Sequence, residues 1–466
     1  MDTKSPQAAL SAQGQPAYLS GFLGPVPDEI ERFELTVEGA LPPELSGLYL
    51  RNGSNPMPGQ DPGHNFTGQG MVHGIRLEGG RAIWYRNRWV KTPTMQGARA
   101  VRPDGTRDVT AGVANTSILH YDGRILALVE NALPYELTRE LDTVGPYDFG
   151  GALKSPMTAH PKTDPATGEI HFFGYDFRPP FLVYHVATRD GVLKHSVPLA
   201  VTGPTMMHDF AMTARHVIWL DMPVVFDMQL AMGRRGMPYR WSDDYPPRIG
   251  VMPRGGSNAD VRWFAVKPGY VFHVGNAHED AQGRIVLDGV YYDRASFDRL
   301  WNRLGGASVA ATGEPQATKG GVLYQWTLDL ANGAVSEGPI DDLSVEFPVV
   351  NGERVGRDHR YVYAVNNSFI EDRGGMNVVK FDVKTGERRA HAFERGWIPG
   401  EAIFVAAKNA TSEDDGWLMS IATHALEDRA QFVVQDASDP ALKPVATVTL
   451  PRRVPAGFHG AWIAGD

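Results

Sequence analysis

Fifteen histidines are spread through the 466 residues, and four of them stand apart by their neighbours. His160 lies in MTAHPKTDP, His208 in TMMHDFAMT, His273 in YVFHVGNAHED and His459 in VPAGFHGAW. A single histidine in a strand is ordinarily a satisfied structural or surface residue, so any one alone means little. These four each flank a strand-like run, and none sits in a charged surface segment. Their wide spacing matches no local HxxxH pattern. If they meet, the fold brings them together, and the chemistry of such a set would be metal binding, since imidazole is the commonest side-chain ligand.

The elements that must position them are β-rich. The 51 glycines and 34 prolines are spread evenly, and long helical periodicity is scarce. Short β-rich runs recur instead, at 76–90, 119–131, 166–177, 184–199, 323–338, 360–367 and 378–393. In the hairpins a glycine follows Asp, Asn, Thr or Gly, residues that accept the positive φ of tight turns. So many short hairpins predict an all-β sandwich, barrel or propeller. Length favours a propeller, because seven four-stranded blades of about 45–60 residues would consume nearly the whole chain. No blade signature repeats, so the residues alone do not yield the blade count. Residues 1–20 read as a mobile tail and 21–466 as one propeller domain, with no composition shift between. Two stretches, 223–240 and 293–320, read as insertions, which in repeat folds commonly carry the binding function.

Composition narrows the partners. A net charge of −9 without any Lys/Arg-rich run argues against nucleic acid. The absence of cysteine rules out disulfides, thiolate-bound zinc, iron–sulfur clusters and thiol catalysis, and fits a reducing cytoplasm. Residues 1–20 contain no apolar signal core, and no apolar run approaches the about eighteen residues of a membrane span. The expected location is therefore the cytoplasm, with no obligate protein partner. No GxGxxG or GxxxxGK[ST] stands in a strand-to-helix context, so no NAD or nucleotide site is expected.

A full-length set of motifs resembles the carotenoid-cleavage oxygenases, a family that includes the lignostilbene dioxygenases. It runs from LSGLYLRNGSNP (45–56) and HNFTGQGMVHG (64–74), through ANTSILHYDGRILALVEN, TAHPKTDPATGEIHFFGY, MMHDFAMT and FHVGNAHED, to EFPVVNG (346–352), PGEAIFVA (399–406) and GFHGAW (457–462). The resemblance implies a seven-bladed β-propeller, with loop and helical insertions forming a dome over an axial metal site. It implies one Fe(2+) per chain, held by His160, His208, His273 and His459, one from each of four blades. Four neutral imidazoles suit Fe(II) and leave two octahedral positions open. Glu130, Glu346 and Glu401 match the family glutamates that accept the second ring N–H of three of these histidines. All three sit amid apolar residues, where an unpaired carboxylate would be costly. Thr116 matches a threonine whose methyl crowds an open iron position.

The implied reaction adds the atoms of O₂ across a conjugated C=C bond to give two carbonyl products, without NAD, flavin or oxoglutarate. The substrate is harder to read. In the stilbene branch of the family a lysine before the first glutamate contacts a phenolic oxygen, where this chain has Val129. An aromatic partner falls near Met95. These two positions predict an apolar wall, and with it a carotenoid or apocarotenoid rather than a stilbene or phenylpropenoid, the alternative aromatic alkenes. The 223–240 segment could then touch a membrane to collect a polyene. Two readings of other kinds are a metal-free binding propeller, against which the intact His and Glu sets argue, and an isomerohydrolase, against which the lack of cysteines to palmitoylate argues.

Overall fold

Tight turns set the repeating unit. Gly79 and Gly80 take φ of 54° and 78°, and Asp122 and Gly123 take 51° and 69°. Left-handed angles at both central residues make the type I′ turn, whose twist suits an antiparallel hairpin. They join Gly70–Glu78 to Arg81–Trp89 and Ser117–Tyr121 to Arg124–Leu128. In the computed structural model, which describes residues 14–233, 236–306, 319–366 and 376–465, such hairpins build seven sheets of four to six strands and one two-stranded hairpin. The seven sheets are the blades of a β-propeller.

Burial explains why strand periodicity is weak where it matters most. Every residue of Gly47–Ser54 and of Ile170–Tyr175 is buried, because an inner strand has a neighbouring blade on each face. Such strands read as continuous apolar runs rather than alternations. The outer strand Leu193–Leu199 alternates between half-buried and exposed positions, as a sheet edge with one wet face should. The ring closes without a covalent link: Gly460–Ala464 pairs with Gly47–Ser54, Gly47 opposite Ala464 and Arg51 opposite Gly460. The strand Val37–Gly39 likewise joins the last blade through Pro444–Thr449.

Both expected insertions leave the blade pattern. Between His216–Asp221 and Arg248–Pro253 the chain makes a small hairpin, Val224–Phe226 with Tyr239–Trp241, around the helix Met228–Gly233. Between Ile285–Tyr292 and Val322–Leu328 lies the helix Arg294–Arg303, capped by Asp293, whose carboxylate accepts from Ser296 N at 2.8 Å. Its buried face carries Phe297, Leu300 and Trp301, and Trp301 packs on His64, Phe66 and Phe272. Residues 307–318 of the second insertion lie outside the described residues. Among the described residues no helix is long and apolar enough to cross a membrane.

The expected tail boundary needs correction. Residues 1–13 lie outside the described residues, but Tyr18 is buried and its hydroxyl donates to Asp61 at 2.7 Å. Phe22 and Leu23 are buried as well. An aromatic anchor with a partnered hydroxyl therefore fixes the chain before residue 21.

Candidate metal centre

The four histidines arrive on four different blades. His160 immediately precedes the turn into Lys162–Thr163, His208 lies ahead of Ala211–Met212, His273 is inside Tyr270–Glu279, and His459 abuts Gly460–Ala464. Each of these strands lies at the edge of its sheet. The strand around His273 shows register shifts between Val271 and Val274 and again between Val274 and Asn276. Bulges re-aim side chains, and here they flank the residue that must point to the axis. One ring nitrogen from each histidine lies within 4.8 Å of the others. The His160 and His208 Nε2 atoms are 3.0 Å apart, and those of His208 and His273 are 3.3 Å apart.

Three carboxylates fix what those nitrogens can do. His208 Nδ1 donates to Glu130 at 2.8 Å, His273 Nδ1 to Glu346 at 2.5 Å, and His459 Nδ1 to Glu401 at 2.8 Å. A carboxylate only accepts, so Nδ1 carries the proton, and in the neutral ring that a metal requires the lone pair is at Nε2. The Nε2 lone pairs of His208 and His273 thus face one another at close range, an arrangement that favours a cation among them. Metal–imidazole bonds of about 2.1 Å at right angles would space their nitrogens about 3.0 Å apart, close to the spacing found. The donor set fits a metal.

The carboxylates are themselves held. Glu346 accepts from Tyr292 at 2.9 Å and from Phe347 N at 2.6 Å, with Phe347 at a φ of 54°. Glu401 accepts from Gly460 N at 2.6 Å. Burial pushes Glu346 up to about 7. Burial, then the charge of the other rings, holds His160 and His273 well below the ordinary histidine range. Burial opposes charging His208 too, but the Glu130 carboxylate outweighs it and lifts that ring above its usual value. Replacing Glu130 or Glu401 with glutamine should leave the fold intact and lower metal retention about 10–100-fold, the usual effect of losing such a partner. Metal content after dialysis against a chelator checks this; wild-type retention in both variants would place the carboxylates outside the site's chemistry.

Above the ring cluster opens a cavity of about 1020 Å³. His208, His273 and His459 reach it, while His160 is not part of its lining. Phe66, Phe272, Phe347 and Phe458 are part of its wall, and both insertions contribute through Phe226, Tyr239, Leu300 and Leu304. Thr116 and Val129 line it, both buried. Met95 does not. It sits in the 3-10 turn Pro93–Gln96 and packs on Val26, Met71 and Trp89, so it makes no part of the cavity wall.

The sequence reading also missed residues that belong here. Tyr175 and Tyr239 line the cavity with Glu130, and burial, then the Glu130 charge, pushes both phenols far above the ordinary tyrosine value. Asp209, next to His208, accepts from Val274 N at 2.8 Å and pairs with Lys162 at 2.7 Å. That carboxylate ties together the chain around three of the histidines. Its signal was available, since Asp209 stands among apolar residues in MMHDFAM.

A β-propeller with an axial four-histidine cluster under a cavity that several aromatic rings line defines a class of protein. The comparisons with known proteins agree: residues 23–464 match the family described as retinal pigment epithelial membrane protein. The chain belongs to this family, that of the carotenoid-cleavage oxygenases. It is 40% identical to a carotenoid cleavage oxygenase of Mycobacterium tuberculosis, over 97% of this chain and 99% of that one. Among solved structures, the lignostilbene dioxygenase of Pseudomonas brassicacearum superposes with a TM-score of 0.84 at 30% identity, covering 97% of this chain and 99% of that one. A cobalt-substituted apocarotenoid oxygenase of Synechocystis superposes with a TM-score of 0.79 at 27% identity, covering 98% of this chain and all of that one, 100%.

Proposed function

We propose that this chain is an iron(II)-dependent dioxygenase that cleaves a conjugated C=C bond of a carotenoid or apocarotenoid into two carbonyl products, with O₂ as cosubstrate. The observation that carries this is the convergence of carboxylate-locked imidazoles, lone pairs inward, at the floor of an aromatic cavity. His160, His208, His273 and His459 would hold one iron per chain. Bound iron(II) would supply open coordination positions at which O₂ is activated, and the substrate alkene would supply the electrons that reduce both oxygen atoms. Everything else falls to the protein. Glu130, Glu346 and Glu401 keep three rings in one tautomer and orientation. Phe66, Phe272 and Phe458 exclude water and hold an extended apolar substrate flat against the site, and the Thr116 methyl narrows its floor. No nicotinamide, flavin or oxoglutarate is needed.

The polyene reading draws on the 40% identity with a carotenoid cleavage oxygenase along the whole chain and on the Phe-rich wall. Met228 and Met232, 55% and 67% exposed beside the cavity, are the side chains through which a bilayer would deliver such a substrate. One observation favours a second reading, side-chain cleavage of a stilbene or phenylpropenoid. Tyr175 and Tyr239 offer the cavity two phenolic groups, and the structural match to a lignostilbene dioxygenase is extensive. Iron-loaded protein incubated in air with β-apo-carotenals and, separately, with resveratrol-type stilbenes decides between them, with products identified by mass. The expected result is faster cleavage of an apocarotenal. Faster cleavage of the stilbene would overturn the polyene reading and leave the reaction class standing.

A further inference from the structure

His459 differs from the other three histidines in how it reaches the axis. His160, His208 and His273 sit on blades formed by continuous chain. His459 is delivered by the segment that closes the ring, where the last strand pairs with Gly47–Ser54. That segment is clasped by two neighbouring residues of the N-terminal strand. Arg51 is buried, 1% exposed, and its guanidinium donates to the carbonyl of Pro455 and, in a longer contact of 3.5 Å, to that of Ile421. No carboxylate pairs with it among the described residues. Asn52 N donates to His459 O at 3.0 Å, and Phe458 N donates to Asn52 O at 2.9 Å. The Asn52 amide donates to Ala114 O at 2.9 Å and Ser117 O at 3.2 Å, and His459 N donates to Thr116 O at 3.2 Å.

Glycines permit this closeness. A Cβ on Gly457 would stand 2.7 Å from Asn52 O and 2.9 Å from Arg51 Nε, and one on Gly400, beside Glu401, 2.8 Å from Arg51 Nη1. The approaches to His459 and to its acceptor Glu401 are therefore both built around the Arg51 guanidinium.

We infer that Arg51 is a positioning residue that couples closure of the propeller ring to occupation of the four-histidine centre, so that a metal there staples the seam between the first and last strands. This rests on the reading that the four histidines hold a metal. Arg51 is neither a member of the histidine cluster nor part of the cavity lining. It acts by holding the 455–459 carbonyl path where His459 Nε2 faces the other three rings. Linkage makes the effect reciprocal: a ligand that binds only the closed seam stabilises the closed seam.

Amide hydrogen exchange on the full chain tests this, metal-free and loaded with Co(II) as the probe. At cobalt about ten times its dissociation constant, exchange should slow about tenfold wherever opening releases the metal. We expect that slowing across 456–464 and 47–54, with no change in the outer strand Glu387–Ala392. In Arg51→Met, cobalt affinity should fall about 10–100-fold, and the cobalt-dependent slowing at 456–464 should vanish. Arg51→Lys, which keeps the charge but not the fork, should fall between. Wild-type protein that binds no cobalt or iron would overturn the metal reading itself. Wild-type protein that binds cobalt without seam protection, or an Arg51→Met protein that binds as wild type, would overturn the coupling alone. Should Arg51→Met fail to fold, Arg51→Lys takes its place, and a lysine variant that binds cobalt and protects 456–464 as wild type does would overturn the role of Arg51.

Discussion

His273→Ala should yield a folded protein that holds no metal and turns over no substrate. The side chain is fixed from three directions: flanking bulges aim it, Glu346 accepts a hydrogen bond from its Nδ1 at 2.5 Å, and Phe347 stacks on it with ring centres 5.1 Å apart. Removing the imidazole takes away one of four donors, and the loss should exceed the about 10–100-fold expected of the outer carboxylates. The fold should survive for two reasons. Glu346 keeps its bonds from Tyr292 and Phe347 N. Burial already pushes its carboxyl up to about 7, so it can take a proton rather than stand as an unpaired buried charge. His208→Ala should behave alike. Metal analysis, product formation and a thermal melt on one preparation check the expectation. About one metal per chain, with turnover within a few-fold of wild type, would show that the cluster is not the reacting centre.

Much of this site was legible through motifs that resemble a known family, and its carboxylates also break the local pattern. Glu130 in LALVEN, Glu346 in VEFPVV and Glu401 in PGEAIF are charges among apolar neighbours, and burial makes such a charge need a partner. The hairpins were legible through their turn glycines. The blade count was not, because each blade must satisfy only a burial pattern that many sequences meet. The two-residue strands Lys162–Thr163 and Ala211–Met212, which follow His160 and His208, are too short to show any period. Met95 was misplaced for a local reason. The turn Pro93–Gln96 ends at Gly97, whose φ of 85° diverts the chain, and the chain rejoins the cavity lining, left after Thr67, only at Arg99. Arg51 was invisible because the carbonyls it binds lie 370 and 404 residues away. Proximity at a ring seam is a property of closure, and no sequence window contains it.

The largest change in substrate preference should come from Val129→Lys. Val129 is 5% exposed on the cavity wall, immediately before Glu130 and against Gly112, where an added Cβ would lie 2.9 Å from the Val129 methyl. An ammonium there replaces an apolar contact on the cavity wall, so apocarotenal turnover should fall. The same group gives a phenolic hydroxyl a partner, and a buried hydroxyl left unpaired costs about 1–3 kcal/mol. The preference for a 4-hydroxystilbene over an apocarotenal, read as a ratio of kcat/KM values, should therefore rise about tenfold to a hundredfold. Tyr175 and Tyr239 sharpen this test, since they already line the cavity near Glu130. If they serve a phenolic substrate, wild-type protein would cleave the stilbene well and the lysine would add little. Val129→Met, apolar and longer, separates bulk from charge: it should slow both substrates and leave the ratio unchanged. A ratio that rises equally in the Met and Lys variants would mean that cavity shape, and not a polar contact at residue 129, sets the choice of substrate.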